Sequence, residues 1–192
     1  MNVIIFGPPG AGKGTQSDFI VKKYNLLQVS TGKILRDEIK NKTNLGQKIS
    51  SLMSAGSLVE DKIVNKLIEE IVSNRNNENR FIFDGYPRNL DQASNLDNLL
   101  KKYEQKINIV LKLSVSLNTI KTRISERRYV EKRPDDNEEV AIRRYETYEK
   151  STEPVIEYYK KLNLLKVING ERPIDQINKE ISGIIDTLQA WL

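Results

Sequence analysis

The chain of 192 residues has no cysteine and no histidine. The first absence excludes disulfides, thiolate nucleophiles and cysteine-built zinc sites. The second removes the imidazole, both as a general base and as a metal ligand. Aromatic residues make up only 7%, with a single tryptophan, Trp191, so a base-stacking surface for single-stranded nucleic acid has little to build on. No apolar run approaches the roughly 18 residues needed to cross a bilayer. The N-terminus passes at once into Val3-Ile4-Ile5-Phe6, with no basic leader before it, and the expectation is a cytoplasmic protein without a secretory signal. What is present is charge: 31 lysines and arginines against 26 acidic residues, a formal net charge of +5. That balance suits either nucleic acid or a small polyanion, and the placement of the arginines has to distinguish them.

Short apolar runs of the buried parallel type stand at 3–6, 26–29, 81–83, 107–113 and 164–168. Amphipathic helical stretches separate them, near 13–24, 43–54, 60–73, 89–103, 117–128, 137–162 and 173–190, with a further helix opening at "STGKILRDEIK". Strands alternating with helices predict an α/β/α sandwich around a five-stranded parallel sheet. The length suits one domain, 1–192, with two stretches, 30–59 and 126–136, interrupting the alternation as inserted flaps.

Residues 7–15, "GPPGAGKGT", follow the first strand and open the first helix. Glycines let the backbone close around anionic oxygens, the helix N-terminus adds partial positive charge, and Lys13 adds a full one. The pattern departs from G-x-x-x-x-G-K-[ST] in one place: Gly14 stands where a magnesium-binding hydroxyl is usual, and Thr15 follows one position later. A Mg²⁺ ion would then rest mainly on phosphate oxygens and water, which it tolerates well. Asp84, at the end of the third strand, is the acid expected beside it, acting through water.

A second anion site is legible. "STG" at 30–32 follows the second strand, and Arg36 lies one helical turn beyond Gly32. "DGYPR" places Arg88 just past the third strand. Strand ends of an open parallel sheet share one edge, so Arg36 and Arg88 can meet on one phosphate. Arg123, Arg127, Arg133 and Arg144 are candidates for clamping further phosphates, because the guanidinium fork binds them bidentately. Arg128 and Arg143 read as solvated surface.

Together "GPPGAGKGTQ", "STG…LR", "DGYPRNLDQA", "RPDDNEE" and "ETYEKSTEPVIEYY" resemble the adenylate kinases of the nucleoside monophosphate kinase group, in order and spacing, from Met1 to about residue 173. The resemblance implies reversible, Mg²⁺-dependent transfer of the ATP γ-phosphoryl to AMP, giving two ADP. It implies that Gly10, Ala11, Gly12, Lys13, Gly14 and Thr15 cradle the ATP phosphates. Arg123 would lie against the ATP adenine, Arg127 on its phosphates and Arg172 near the base. Thr31, Arg36, Ser57, Leu58, Val59, Gly85, Tyr86, Pro87, Arg88 and Gln92 would line the AMP site, with Arg133 and Arg144 spanning the transferring group. The implied partners are ATP, AMP and ADP, with no nucleic acid, no membrane and no zinc, for a chain acting as a monomer.

Two departures stand out. Lys33 replaces the aspartate usual after "STG", and only "RYVEK" separates Arg127 from Arg133, which marks the short-lid type. A phosphate acceptor needs no side-chain base, so a chain without histidine can run this transfer. A uridylate or cytidylate kinase of the same group is the nearest alternative, and Thr31 and Gln92 count against it. A GTP-dependent switch would need N-K-x-D, which is absent. A nucleic-acid binder would show arginines in a stripe rather than behind strand ends.

Overall fold

The structure, a computed structural model, describes residues 1–74, 79–131 and 137–190. Its order is β1 (Asn2–Phe6), α1 (Lys13–Tyr24), β2 (Leu27–Ser30), α2 (Thr31–Lys40), α3 (Asn44–Ser54), α4 (Asp61–Val72), β3 (Phe81–Asp84), α5 (Leu90–Lys102), β4 (Ile107–Ser114), α6 (Leu117–Glu131), α7 (Glu138–Lys161), β5 (Leu165–Asn169) and α8 (Ile174–Gln189). The strands form one parallel sheet in the order β2-β3-β1-β4-β5. The expected five-stranded α/β/α architecture is therefore present.

The period-two geometry of the strands sorts their side chains onto two faces. Ile4 and Phe6 join Phe81, Phe83, Val110 and Leu96 in one core, which α4, α5 and α7 close. Val3 and Ile5 join Ile82, Leu111, Ile20 and Ile181 in the other, which α1 and α8 close. Both faces are covered, which is why the strands read as continuous apolar runs.

Register places the functional segments side by side. Ile5 and Ser30 both pair with Asp84, on either side of β3. The turns after β1, β2 and β3 thus emerge together at the carboxyl edge of the sheet. The ends of β4 and β5 follow, with Ser114 opposite Asn169.

Two details differ from the sequence expectation. The helix expected to end at 128 runs on to Glu131, since nothing in "RYVE" breaks a helix and the first proline is Pro134. The stretch 126–136 is accordingly helical through 131, and its remainder lies outside the described residues. Within 30–59, α2 and α3 cross so closely that a Cβ on Gly46 would stand 2.1 Å from the Glu38 carbonyl oxygen. Among the described residues no helix is long and apolar enough to cross a membrane.

Candidate active site

The turns at the carboxyl edge enclose a cleft of about 1180 Å³. A pocket for a single small ligand is typically ~300–1,000 Å³, so this one has room for more than one. Its floor is the 7–15 loop. Gly10 and Gly12 hold φ of 86° and 93°, a left-handed conformation that disfavours any side chain, and a Cβ on Gly10 would meet Ile124 at 3.0 Å. Gly12 caps α1, so the helix's first N–H groups open toward the cleft. Residues 10–15 all line it.

Lys13 folds back over the loop, donating from Nζ to the carbonyl oxygens of Gly7 at 2.7 Å and Pro8 at 3.1 Å. Burial pushes its ammonium down to about 8. Asp84 opposes that shift, and Arg88, Arg144 and Arg127 add to it. Ser30 Oγ donates to Asp84 Oδ2 at 3.3 Å, tying the end of β2 to the end of β3.

Arg88 occupies the turn after β3. Its Nε donates to the Gly85 carbonyl at 2.7 Å, and Thr31 Oγ1 donates to that same oxygen at 2.8 Å. Thr152 Oγ1, from α7, donates to the Arg88 carbonyl at 3.1 Å. Burial lowers the Arg88 guanidinium to about 10, with Arg144 and Arg36 adding to the shift and Asp84 opposing it. Such a concentration of cations is costly in a folded protein, and polyanion binding is the chemistry that relieves it.

The structure brings most of the expected residues together. Arg36, Asp84, Gly85, Pro87, Arg88, Arg127, Arg144 and the segment Ser57-Leu58-Val59 line the cleft with the loop. Arg123 lines it too, fastened through Nη1 to the Ala11 carbonyl and Nη2 to the Gly170 carbonyl, at 3.3 and 2.9 Å. Arg172 stands on the cleft wall in an ion pair with Glu180. Thr31 and Gln92 line a small adjoining cavity with Leu58, Val59 and Val64. Lys33 is exposed at the cleft mouth with Asp37 and Lys40.

Tyr86 is placed differently from its neighbours in the turn. Its side chain lines neither cavity but is fully buried beneath them, donating from its hydroxyl to Asn65 Oδ1 at 2.7 Å and accepting from Asn95 at 3.2 Å. Burial pushes its phenol up to about 12. Gly85, just past the end of β3, holds a left-handed φ of 77°, which breaks the strand geometry and lets the next side chain turn into the core. Arg133 lies outside the described residues. Arg143 is exposed and donates to Glu139 at 3.0 Å, and Arg128 is exposed as well.

Sequence reasoning missed three contributors. Thr152 braces the Arg88 turn. Ser30 steadies Asp84. Asp61 Oδ1 and Oδ2 accept from Gln92 Nε2 at 2.6 Å and Asn89 Nδ2 at 2.8 Å. Ser30 lay within the "STG" already singled out, while Asp61 carried only the signal of an acid in the first turn of a helix, which speaks of capping rather than of a site.

A glycine-lined loop on a helix N-terminus, a lysine on it and converging arginines at the switch point of a parallel sheet define a phosphate-binding-loop nucleotide kinase. Residues 5–164 match the family model described as "Adenylate kinase". The chain is 44% identical to "Adenylate kinase" of Pelagibacter ubique, with 96% of this chain and 99% of the relative covered. It is 39% identical to the enzyme of that name from Flavobacterium psychrophilum, covering 98% of this chain and 100% of the relative. The Azobacteroides pseudotrichonymphae protein of the same name is 40% identical, with 98% of each chain covered. The chain belongs to the adenylate kinase family.

Proposed function

We propose that this chain catalyses reversible transfer of the ATP γ-phosphoryl group to AMP, yielding two ADP. One observation carries the reading: the Lys13 loop and the Arg88 turn leave neighbouring strands and face one cleft. Two phosphate chains held by those turns meet end to end. Loop residues 10–15 hold the β- and γ-phosphates of ATP through backbone N–H groups, with Lys13 on their oxygens. Arg36 and Arg88 hold the AMP phosphate. Arg127 and Arg144, with Arg133, span the group in flight, and Arg123 and Arg172 flank the ATP base. Thr31, Gln92 and the backbone at 57–59 hold the AMP base.

An ionised oxygen of the AMP phosphate attacks the γ-phosphorus of ATP. The bond from that phosphorus to the β–γ bridging oxygen breaks, and ADP departs with the electron pair. No proton has to be removed from the acceptor, which agrees with a chain lacking histidine. Catalysis then rests on alignment and charge neutralisation. Members of this family depend on Mg²⁺ as a rule. Among the described residues no cluster of three or more acidic side chains could cage a metal. Asp84, facing the loop across the cleft, suits an ion carried by the phosphates and held through water. Bound there, such an ion would supply charge neutralisation to the phosphates.

The short-lid reading has support from alignment length. The match to the Pelagibacter protein runs over 211 positions, more than this chain possesses, so that relative carries an insertion this one lacks. The Flavobacterium match runs over 189.

The test is direct. With MgATP and AMP, a coupled assay should report ADP at two per AMP consumed. No turnover, or turnover with UMP or CMP alone, would remove this reading.

A further inference from the structure

Gln92 is 3% exposed and lines the small cavity beside the cleft with Thr31, Leu35, Leu58, Val59 and Val64. Its amide is held at both ends. Oε1 accepts the backbone N–H of Arg88 at 2.8 Å, and Nε2 donates to Asp61 Oδ1 at 2.6 Å. A backbone N–H can only donate, and a carboxylate can only accept. Turning the amide over would set its NH₂ against a donor and its oxygen against an anion. Both contacts would fail together, in a buried place where an unmade hydrogen bond is expensive. Asp61 is held in turn by Asn89 Nδ2 at 2.8 Å, and Asn89 caps α5 by accepting from the Gln92 backbone N–H at 2.8 Å. The carboxylate, the cap and the amide therefore fix one another.

We propose that Asp61 is a specificity-determining positioning residue, which locks the Gln92 amide in the orientation that accepts a 6-aminopurine and rejects a 6-oxopurine. It acts through Gln92 and does not touch the base. With two of its capacities used, the amide has one N–H and one oxygen lone pair left. The Watson–Crick edge of adenine offers the complement, an acceptor at N1 and a donor at N6. A 6-oxopurine offers the reverse, a donor at N1 and an acceptor at O6. An amide free to turn could serve either edge. Thr31 acts in the same sense. Its hydroxyl proton is committed to the Gly85 carbonyl at 2.8 Å, so toward the cavity it presents lone pairs, which suit an amino group and repel a carbonyl.

The inference rests on AMP being the acceptor, and the experiment separates the two. Wild type, Asp61→Asn and Asp61→Ala are assayed with AMP and with inosine monophosphate, whose base differs at position 6. Asparagine can donate or accept, and alanine does neither, so each substitution takes the obligatory acceptor from Nε2 and leaves the Arg88 N–H alone to orient the amide. The expected result is a rise of about tenfold or more in kcat/KM for inosine monophosphate relative to AMP. Most of the loss with AMP should fall on KM rather than kcat. A ratio within twofold of wild type, in a variant that unfolds cooperatively, overturns the proposal. Failure of the wild type to phosphorylate AMP would instead overturn the functional reading. The unsubstituted protein carries a parallel test. By NMR, one proton of the Gln92 side-chain amide should be protected from solvent exchange, and two freely exchanging protons would equally overturn the lock.

Discussion

Lys13 lies between one carboxylate and three guanidinium groups, and burial already disfavours its charge. With its value pushed down to about 8 from 10.5, the folded protein pays for the ammonium below pH 8, and the cost is relieved as pH rises toward 10.5. A triphosphate against the loop places negative charge beside the group and raises its value again. ATP binding at about pH 8.5 should therefore take up a fraction of a proton. Near pH 7, where Lys13 is already largely charged, its share of that uptake should be much smaller. Calorimetric titration in two buffers of different ionisation enthalpy measures this, and equal heats at pH 8.5 would contradict it. The Arg88 guanidinium is braced by the Gly85 carbonyl of its own turn, and Thr152 holds its backbone carbonyl, so its fork arrives already oriented. Arg88→Ala should lower kcat/KM by ~10³-fold or more, by analogy with other arginines that stabilise a transferring phosphoryl group. Survival within tenfold would take Arg88 out of the set of groups that clamp the reacting phosphates.

At the scale of elements, α2 carries Arg36 and Lys33 into the cleft, and its position depends on α3. The two helices cross at Gly46, where a Cβ would collide with the Glu38 carbonyl. That contact is backbone, so it cannot be relieved by turning a side chain. Gly46→Ala must push the helices apart, at a cost of about 2 kcal/mol or more. For a chain of this size, thermal unfolding should come at least ~4 °C lower. The AMP KM should rise, because Arg36 moves with α2, while the ATP KM should stay near wild type. A melting temperature within a degree of wild type would show that the crossing tolerates the methyl group.

For the whole molecule, a transfer between phosphates must exclude water, which would otherwise accept the group. We propose that 30–59 and 126–136, of which 132–136 lie outside the described residues, close over the cleft. A bisubstrate analogue, two adenosines joined by a phosphate chain, should protect both stretches from limited proteolysis. Cleavage within them at an unchanged rate would count against closure. The same view accounts for the excess of positive charge: much of its half-buried part is gathered at one sheet edge, around Lys13, Arg36, Arg88 and Arg144, where the two proposed polyanionic substrates would neutralise it.

The sequence by itself determined the strands, the helices and the nucleotide loop, because each is encoded over a few neighbouring residues. Apolar period, glycine spacing and a lysine at a helix start are local facts. The resemblance of "GPPGAGKGTQ", "STG" and "DGYPR" to one kinase group determined the reaction, through motifs of the same local kind. Tertiary structure alone decided what depends on residues far apart in the chain. The order β2-β3-β1-β4-β5 is set by which apolar faces pack together, and it makes Ser30, Asp84 and Ile5 lateral neighbours. The inward turn of Tyr86 and the brace from Thr152 are equally invisible along the chain. So is the grip of Asp61 on Gln92, across 31 positions of sequence. A hydrogen bond is governed by distance and direction in space, and a linear pattern records neither until the sheet has closed.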